Sequence, residues 1–299
     1  MNIKNNIMSL CFKCSKPLEN LNKYSLHPLC FAEWFECSVE AEFKGLTPQK
    51  TISPDGKNTS SFFHGKFRKY TADLEEEKYV LKVIQNEFPN LPRVEYLCNQ
   101  IARMLKLDVA DFYFIQMESE DCFVSKNFLH GTKWQKLTHI WQYVSNSDIF
   151  DVETISRTIF DVTKKPQDVE QFYQVILFDA LIGNHDRHGR NIAILSKGVT
   201  NRLSPIYDNP SYIGIESLLG ADINPTGSIK TKESDEPSMK DYIIELKRLK
   251  ADKAINDFKR RCSLQKIMDI IESGLVNEKV KQAMKKLIKK RYEEFYENF

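Results

Sequence analysis

The stretch from Leu181 to Tyr212, LIGNHDRHGRNIAILSKGVTNRLSPIYDNPSY, restricts what this chain can be more than any other part of it. It contains Asp186-Arg187-His188-Gly189-Arg190-Asn191, and Asp208 follows twenty-two residues after Asp186. Between them lie two short apolar runs, Asn191–Leu195 and Leu203–Tyr207, parted by a Ser-Lys-Gly turn. Apolar runs on either side of such a turn predict a β-hairpin flanked by polar loops. Folding back brings Asp186, Asn191 and Asp208 to one end of the hairpin, their oxygens converging. The plainer reading is a polar turn with solvated charges, and the hairpin together with the second carboxylate weighs against it.

Phosphoryl transfer from ATP needs such a set. One carboxylate accepts the hydroxyl proton, while an amide and a second carboxylate hold Mg²⁺ against the phosphates. Magnesium takes oxygen ligands and usually only one or two protein carboxylates. Protein kinases space the Asp and Asn of their catalytic loop five apart, with a basic residue two after the Asp. Here that trio is Asp186, His188 and Asn191, and Asp208 stands in the place of the metal-binding Asp, followed by Asn209-Pro210 rather than Phe-Gly.

The rest of the chain is compatible with an enzyme of this kind. Its 299 residues suffice for two cored lobes. A net charge of +2 argues against a large nucleic-acid footprint. No apolar run approaches the roughly 20 residues of a membrane span. MNIKNNIMSLCFKC is too short in apolar residues for a secretory signal. Seven cysteines, an odd number, do not suggest a disulfide framework, so a reduced, cytoplasmic protein is expected.

The first motif is Cys11-x-x-Cys14, followed after twelve residues by His27-x-x-Cys30. Thiolates and an imidazole at these spacings suit a closed tetrahedral Zn²⁺, with Cys37 as a substitute ligand. The competing reading is four residues that merely pack. Residues 1–42 are thus expected to form a small Cys-rich module, with Phe31, Trp34 and Phe35 packing it onto the body. Residues 43–60 read as a connection rich in Pro, Gly, Ser and Thr.

Residues 43–128 are expected to hold a small antiparallel sheet and one helix. In EKYVLKVIQ, Tyr79, Leu81 and Val83 alternate with Lys78, Val80 and Lys82, the pattern of a strand. Asn90-Leu91-Pro92 reads as a helix start. Val94, Leu97, Cys98, Ile101 and Leu105 then recur at helical spacing, with Glu95 at the edge of that stripe. Glu95 is placed to face inward and pair with Lys82, as the strand lysine and helix glutamate of kinases do; a solvated helix glutamate is the alternative. Val109–Met117 and Cys122–Phe128 read as strands around an acidic turn, and Lys126-Asn127-Phe128 as the passage to the next lobe, where backbone groups would meet adenine.

Residues 129–299 read as mostly helical. Helices are predicted over Leu137–Tyr143, Val152–Val162 and Val169–Ile182, the last delivering the chain to Gly183 and the Asp186 loop. Beyond a loop over 209–240, helical patterns include Ile243, Ile244, Leu246 and Leu249, then Ile267, Ile270 and Ile271 with a stop at Gly274. A last helix from Val276 to about Phe295 carries Lys285, Lys286, Lys289, Lys290 and Arg291, a cluster that reads as a solvated face.

Taken together, LFDALIGNHDRHGRNIAIL with SPIYDN, VEYLCNQIARMLKLDVADFYF, and CFKCSKPL…LHPLCFAEWF resemble the HipA family of bacterial serine/threonine kinases and, more distantly, CtkA-type kinases and the eukaryotic kinase fold. The kinase resemblance runs from about residue 55 to the end, and the amino-terminal segment resembles the short cysteine module that opens truncated members of the family. It implies an α+β, bilobal kinase-like fold. It also implies that ATP and Mg²⁺ are used, with Lys82 on the nucleotide phosphates, Glu95 orienting it, Asp186 as base, His188 beside the transferring phosphoryl group, and Asn191 and Asp208 on the metal. Ser60 and Ser61 fall where the family autophosphorylates its phosphate loop in self-inhibition, a step that adds charge to a segment covering ATP. That loop departs from the family pattern: Ser-Gly-x-x-x-Lys becomes Ser-Ser-Phe-Phe-His-Gly-Lys.

The resemblance implies that the family's extra amino-terminal subdomain is missing, and in this the chain is similar to the short toxin kinase HipT. The resemblance therefore implies a toxin–antitoxin setting, with a HipB-like DNA-binding antitoxin, a HipS-like small protein, and a protein substrate such as an aminoacyl-tRNA synthetase. Direct contact with nucleic acid or membrane is not expected. Rival readings are a phosphoinositide-type lipid kinase, which shares the Asp-Arg-His-x-x-Asn loop; a pseudokinase or scaffold that binds an antitoxin; and a zinc-dependent nucleic-acid binder, against which the balanced charge speaks.

Overall fold

The computed structural model describes residues 9–18, 22–48, 69–129, 134–144, 150–215 and 225–298. The phosphate-loop serines Ser60 and Ser61 lie outside the described residues. The chain divides into two units, residues 1–92 with 111–130, and residues 93–110 with 131–299.

The first unit is built on an antiparallel sheet of β1 (Lys44–Pro48), β2 (Lys69–Leu74), β3 (Glu77–Val83), β4 (Phe112–Met117) and β5 (Glu120–Lys126), in the order β1-β2-β3-β5-β4. The β4–β5 hairpin closes on Glu118 and Ser119, both left-handed at φ 50° and 70°. Such a two-residue turn matches the twist of its strands. Side chains alternate between the two faces of the sheet. Tyr79 and Leu81 of β3 therefore face away from Lys82, whose ammonium lies 5.8 Å from the Phe123 ring centroid.

The Tyr79 face is covered by the amino-terminal segment and its helix α1 (Pro28–Phe35). Cys11, Leu26, Phe31 and Phe35 share one core with Tyr79, Leu81, Tyr113 and Val124. Phe35 stacks on Tyr113 at 4.2 Å and meets Tyr79 edge-on at 5.6 Å. The side chain of Gln116 on β4 accepts from the Ser25 hydroxyl at 2.7 Å, and its backbone N–H donates to Tyr24 O at 3.1 Å. The described part of the Cys-rich segment is thus one layer of this unit and shares its core.

Helix α2 (Leu91–Met104), expected beside the small sheet, groups from Arg93 onward with the second unit. There Arg93 donates to Leu275 O at 3.1 Å, and Val109 forms a parallel bridge to Ile206. That bridge also explains why the strand expected from Val109 starts only at Phe112.

The second unit is organised around α4 (Pro166–Ile182), in which every residue from Phe172 to Ile182 is buried. A helix apolar nearly all round belongs in a core. It touches α3 (Val152–Thr163), α6 (Met239–Arg248), α7 (Asp252–Arg261) and α9 (Glu278–Glu297), while α8 (Leu264–Ser273) packs on α9 and α5 (Tyr212–Ile215) is a single turn. Side-chain caps at Asp151, Ser238, Ser263 and Asn277 fix four helix starts. On α6, Ile243 and Leu246 are buried while Ile244 is 48% exposed.

A three-stranded sheet, β6 (Lys136–His139), β7 (Ala193–Lys197) and β8 (Thr200–Leu203), carries the predicted hairpin, its turn at Gly198 with φ 55°. The helix expected over Leu137–Tyr143 is instead β6 followed by a 3₁₀ turn at Ile140–Gln142. Pairing with β7, from Lys136 opposite Ser196 to His139 opposite Ala193, satisfies the β6 backbone and decides the outcome.

Candidate active site

Helix α4 ends at Gly183, which adopts φ 72°, and the chain turns directly into the Asp186 loop. The loop is held from beneath by Arg187, whose guanidinium is 2% exposed. Its Nε and Nη2 donate to Asp179 Oδ2 and Oδ1 of α4 at 2.7 and 2.8 Å. Nη1 donates to Tyr207 O at 2.8 Å and to Asn191 O at 3.3 Å, and Nη2 also reaches Asn209 Oδ1 at 2.7 Å. One planar cation therefore ties helix α4, the Asn191 end of the loop and the segment bearing Asp208. Burial works against the charged guanidinium, but the Asp179 carboxylate and its hydrogen bonds more than offset that and raise its pKa. Removing one partner of such a pair strands the other charge and costs about 3–5 kcal/mol.

Further bonds complete the frame. Asn184 donates to Asp179 Oδ1 at 2.9 Å, and its own Oδ1 accepts from the Asp186 backbone at 3.1 Å. Asn209, fully buried, donates to Asn99 Oδ1 of α2 at 3.1 Å, and Asn99 donates to Glu95 O at 2.8 Å. Asp208 sits in left-handed backbone at φ 56°, a conformation that Asp tolerates better than most residues. Tyr207 OH donates to Arg190 O at 2.9 Å.

The candidate side chains stand on this frame. Asp186 is partly exposed, and Tyr212 OH donates to its Oδ2 at 2.9 Å. His188 Nε2 lies 3.8 Å from the other oxygen, Oδ1. His188 Nδ1 accepts the Arg190 backbone N–H at 3.2 Å, which leaves the proton on Nε2, facing Asp186. Burial lowers the His188 pKa although Asp186 and Asp208 pull it up, so the ring is neutral at neutral pH. Asn191 donates from Nδ2 to Asp186 O at 2.8 Å. That bond uses the amide nitrogen and leaves the Asn191 amide oxygen to other partners.

In the first unit Lys82 is 2% exposed on β3, and in the second Glu95 is buried on α2. Lys126 closes β5, its ammonium 3.2 Å from Glu77 Oε1 and its N–H on Asp111 O, and Phe128 is half-buried just beyond. A separate cluster joins Cys11, Cys14, His27 and Cys30, their ligand atoms all within 4.8 Å of one another; Cys37 lies outside it. Burial raises the Cys11 thiol, but backbone N–H groups of Cys14, His27 and Lys13 outweigh it and bring it down to about 6, while burial and its sulfur neighbours push Cys30 up to about 12.

Sequence reasoning singled out Asp186, His188, Asn191 and Asp208 but not their supports, Asp179, Asn184, Arg187, Asn209 and Tyr212. Three of these adjoin the motif or lie inside it: Asn184 and Arg187 flank Asp186, and Asn209 follows Asp208. Asp179 and Tyr212 carry no local signal.

The family of HipA-like C-terminal domains matches the chain over residues 55–290. Among solved structures the chain is similar to the Helicobacter pylori proinflammatory kinase CtkA, at 17% identity and a TM-score of 0.62, over 77% of this chain and 92% of that one. It is also similar to the Shewanella oneidensis MR-1 toxin–antitoxin protein HipA, solved with HipB and operator DNA, at 13% identity and a TM-score of 0.53, over 85% of this chain and 72% of that one. These likenesses establish an α+β, kinase-like fold. The comparison with curated proteins finds no match.

Proposed function

Since this chain belongs to the family of HipA-like C-terminal domains, we propose that it is an ATP-dependent protein kinase acting on serine or threonine hydroxyls, as the toxin of a toxin–antitoxin pair. The observation that carries this reading is the Arg187 guanidinium, which binds the backbone of both Asn191 and Tyr207 and so gathers Asp186, Asn191 and Asp208 on one frame. Asp186 accepts the proton of the attacking hydroxyl as its oxygen bonds to the γ-phosphorus and the bond to ADP breaks. Asn191 and Asp208 would hold Mg²⁺, which would supply charge neutralisation at the phosphates. His188, neutral and beside Asp186, offers a hydrogen bond to the phosphoryl oxygens.

Lys82 is assigned to the nucleotide phosphates, with Glu95 as its partner, and the backbone of Lys126–Phe128 to adenine. Ser60 and Ser61 are assigned to inhibitory autophosphorylation. The Shewanella relative was solved with HipB; by that likeness a HipB-like antitoxin is the expected partner here, with a HipS-like small protein alongside and an aminoacyl-tRNA synthetase as the candidate substrate. Place of action is taken as the cytoplasm.

The test offers radiolabelled ATP and Mg²⁺ to the purified chain with protein substrates and, separately, with phosphoinositide vesicles. Label on protein serine or threonine supports the reading. Label on lipid alone defeats it in favour of a lipid kinase.

A further inference from the structure

The four residues of the amino-terminal cluster come from two short segments, the turn Cys11–Cys14 and the start of α1 at His27–Cys30. We propose that Cys11, Cys14, His27 and Cys30 bind a single Zn²⁺ in a closed site that fastens the amino-terminal layer to the sheet bearing Lys82.

The ligand atoms select the metal. Three sulfurs and one imidazole nitrogen suit Zn²⁺, whereas Mg²⁺ and Ca²⁺ take oxygen. The orientation of His27 identifies its ligating atom. Its Nε2 is 2.9 Å from Pro17 O, a carbonyl that can only accept, so Nε2 carries the proton. The unprotonated Nδ1 then faces Cys14 Sγ at 3.4 Å and Cys30 Sγ at 3.7 Å. A zinc-bound histidine typically gives its other N–H to just such an oxygen, which fixes the ring and the tautomer. Four protein ligands leave no open position, so the ion has a structural role.

The surrounding backbone is shaped for the task. Cys11 N–H donates to Lys16 O at 2.9 Å and Ser15 N–H to Cys11 O at 2.8 Å, with Ser15 left-handed at φ 57°. This tight turn directs Cys11 inward, where it is 1% exposed, and leaves Cys14 at the surface. Cys11 lies in the same core as Leu81, the residue before Lys82. The ion would therefore close one end of the layer that backs the Lys82 strand, and its binding energy would be folding energy for the first unit.

The test uses the full chain, purified under reducing conditions without added metal. Elemental analysis should find one zinc per chain, and X-ray absorption should give three sulfurs at about 2.3 Å and one nitrogen at about 2.0 Å. Cys14→Ser, at an exposed position, should weaken zinc binding at least about tenfold and lower the melting temperature, while Cys37→Ser should leave both unchanged. Metal-free protein that is folded with reduced thiols would overturn the proposal. So would a first shell of four sulfurs, a different metal, or full zinc retention in Cys14→Ser. None of these readings depends on whether the chain transfers phosphate.

Discussion

The Tyr212 hydroxyl donates to Asp186 Oδ2 at 2.9 Å, and its ring lies 3.9 Å from that of His185. Burial, followed by the charge of Asp186, raises the phenol pKa, so Tyr212 remains a donor throughout the working pH range. It fixes one oxygen of the carboxylate and, in the proposed reaction, leaves the other for a substrate hydroxyl. A hydrogen bond to a charged group is worth about 1.5–3 kcal/mol. Tyr212→Phe should therefore lower the melting temperature modestly and kcat by about tenfold or more, while leaving the KM for ATP near wild type; an unchanged kcat would remove Tyr212 from the site. His139 makes a second prediction at this scale. Burial, and then the charge of Arg190, hold its pKa below the ordinary 6.5. As pH falls, the unfolded chain takes up this proton first, so the stability from a neutral His139 is present above about 6.5 and is lost below it. His188 acts in the same direction. Denaturation of His139→Gln should consequently lose stability less steeply than wild type between about pH 6.5 and 5. Equal slopes would contradict the assignment.

Elements were legible in the sequence where their signal is local. The apolar periodicity of α2 and α4, and the turn between the β7 and β8 runs, are carried by neighbouring residues. The segment at Leu137–Tyr143 was not legible, because a run that short fits helix or strand equally and its pairing partner β7 lies more than fifty residues later. The stop of α4 was legible as Gly183, and the structure gives it two causes. Its backbone is left-handed at φ 72°, and a Cβ there would lie 2.6 Å from Leu287 Cδ2 and 3.2 Å from Pro225 Cγ. Gly183→Ala should then destabilise the second unit by about 2–4 kcal/mol, read as a shift of the denaturation midpoint. A change under about 0.5 kcal/mol would mean that the loop entry tolerates a side chain.

For the whole molecule, the order of elements was readable, but the grouping of its parts was not. The packing of the Cys-rich segment through Phe31 and Phe35 was readable, but not that these rings share one core with Tyr79 and Tyr113, since no local pattern links those residues. Likewise α2 reads as a companion of the small sheet until Asn99 and Arg93 are seen bonding within the second unit. The candidate set Asp186, His188, Asn191 and Asp208 stood out in the sequence because phosphoryl-transfer chemistry asks for fixed residue types at fixed spacing; the Asp179–Arg187 frame was not legible, since a buried ion pair has no required spacing. The account's central claim is that Asp186 and Asp208 serve one phosphoryl transfer. It is tested most directly by measuring transfer from γ-labelled ATP in Mg²⁺ by wild type, Asp186→Gln and Asp208→Gln, each checked for an unchanged melting temperature. The account predicts label on a protein hydroxyl with wild type and none with either variant, and wild-type transfer by either folded variant would contradict it.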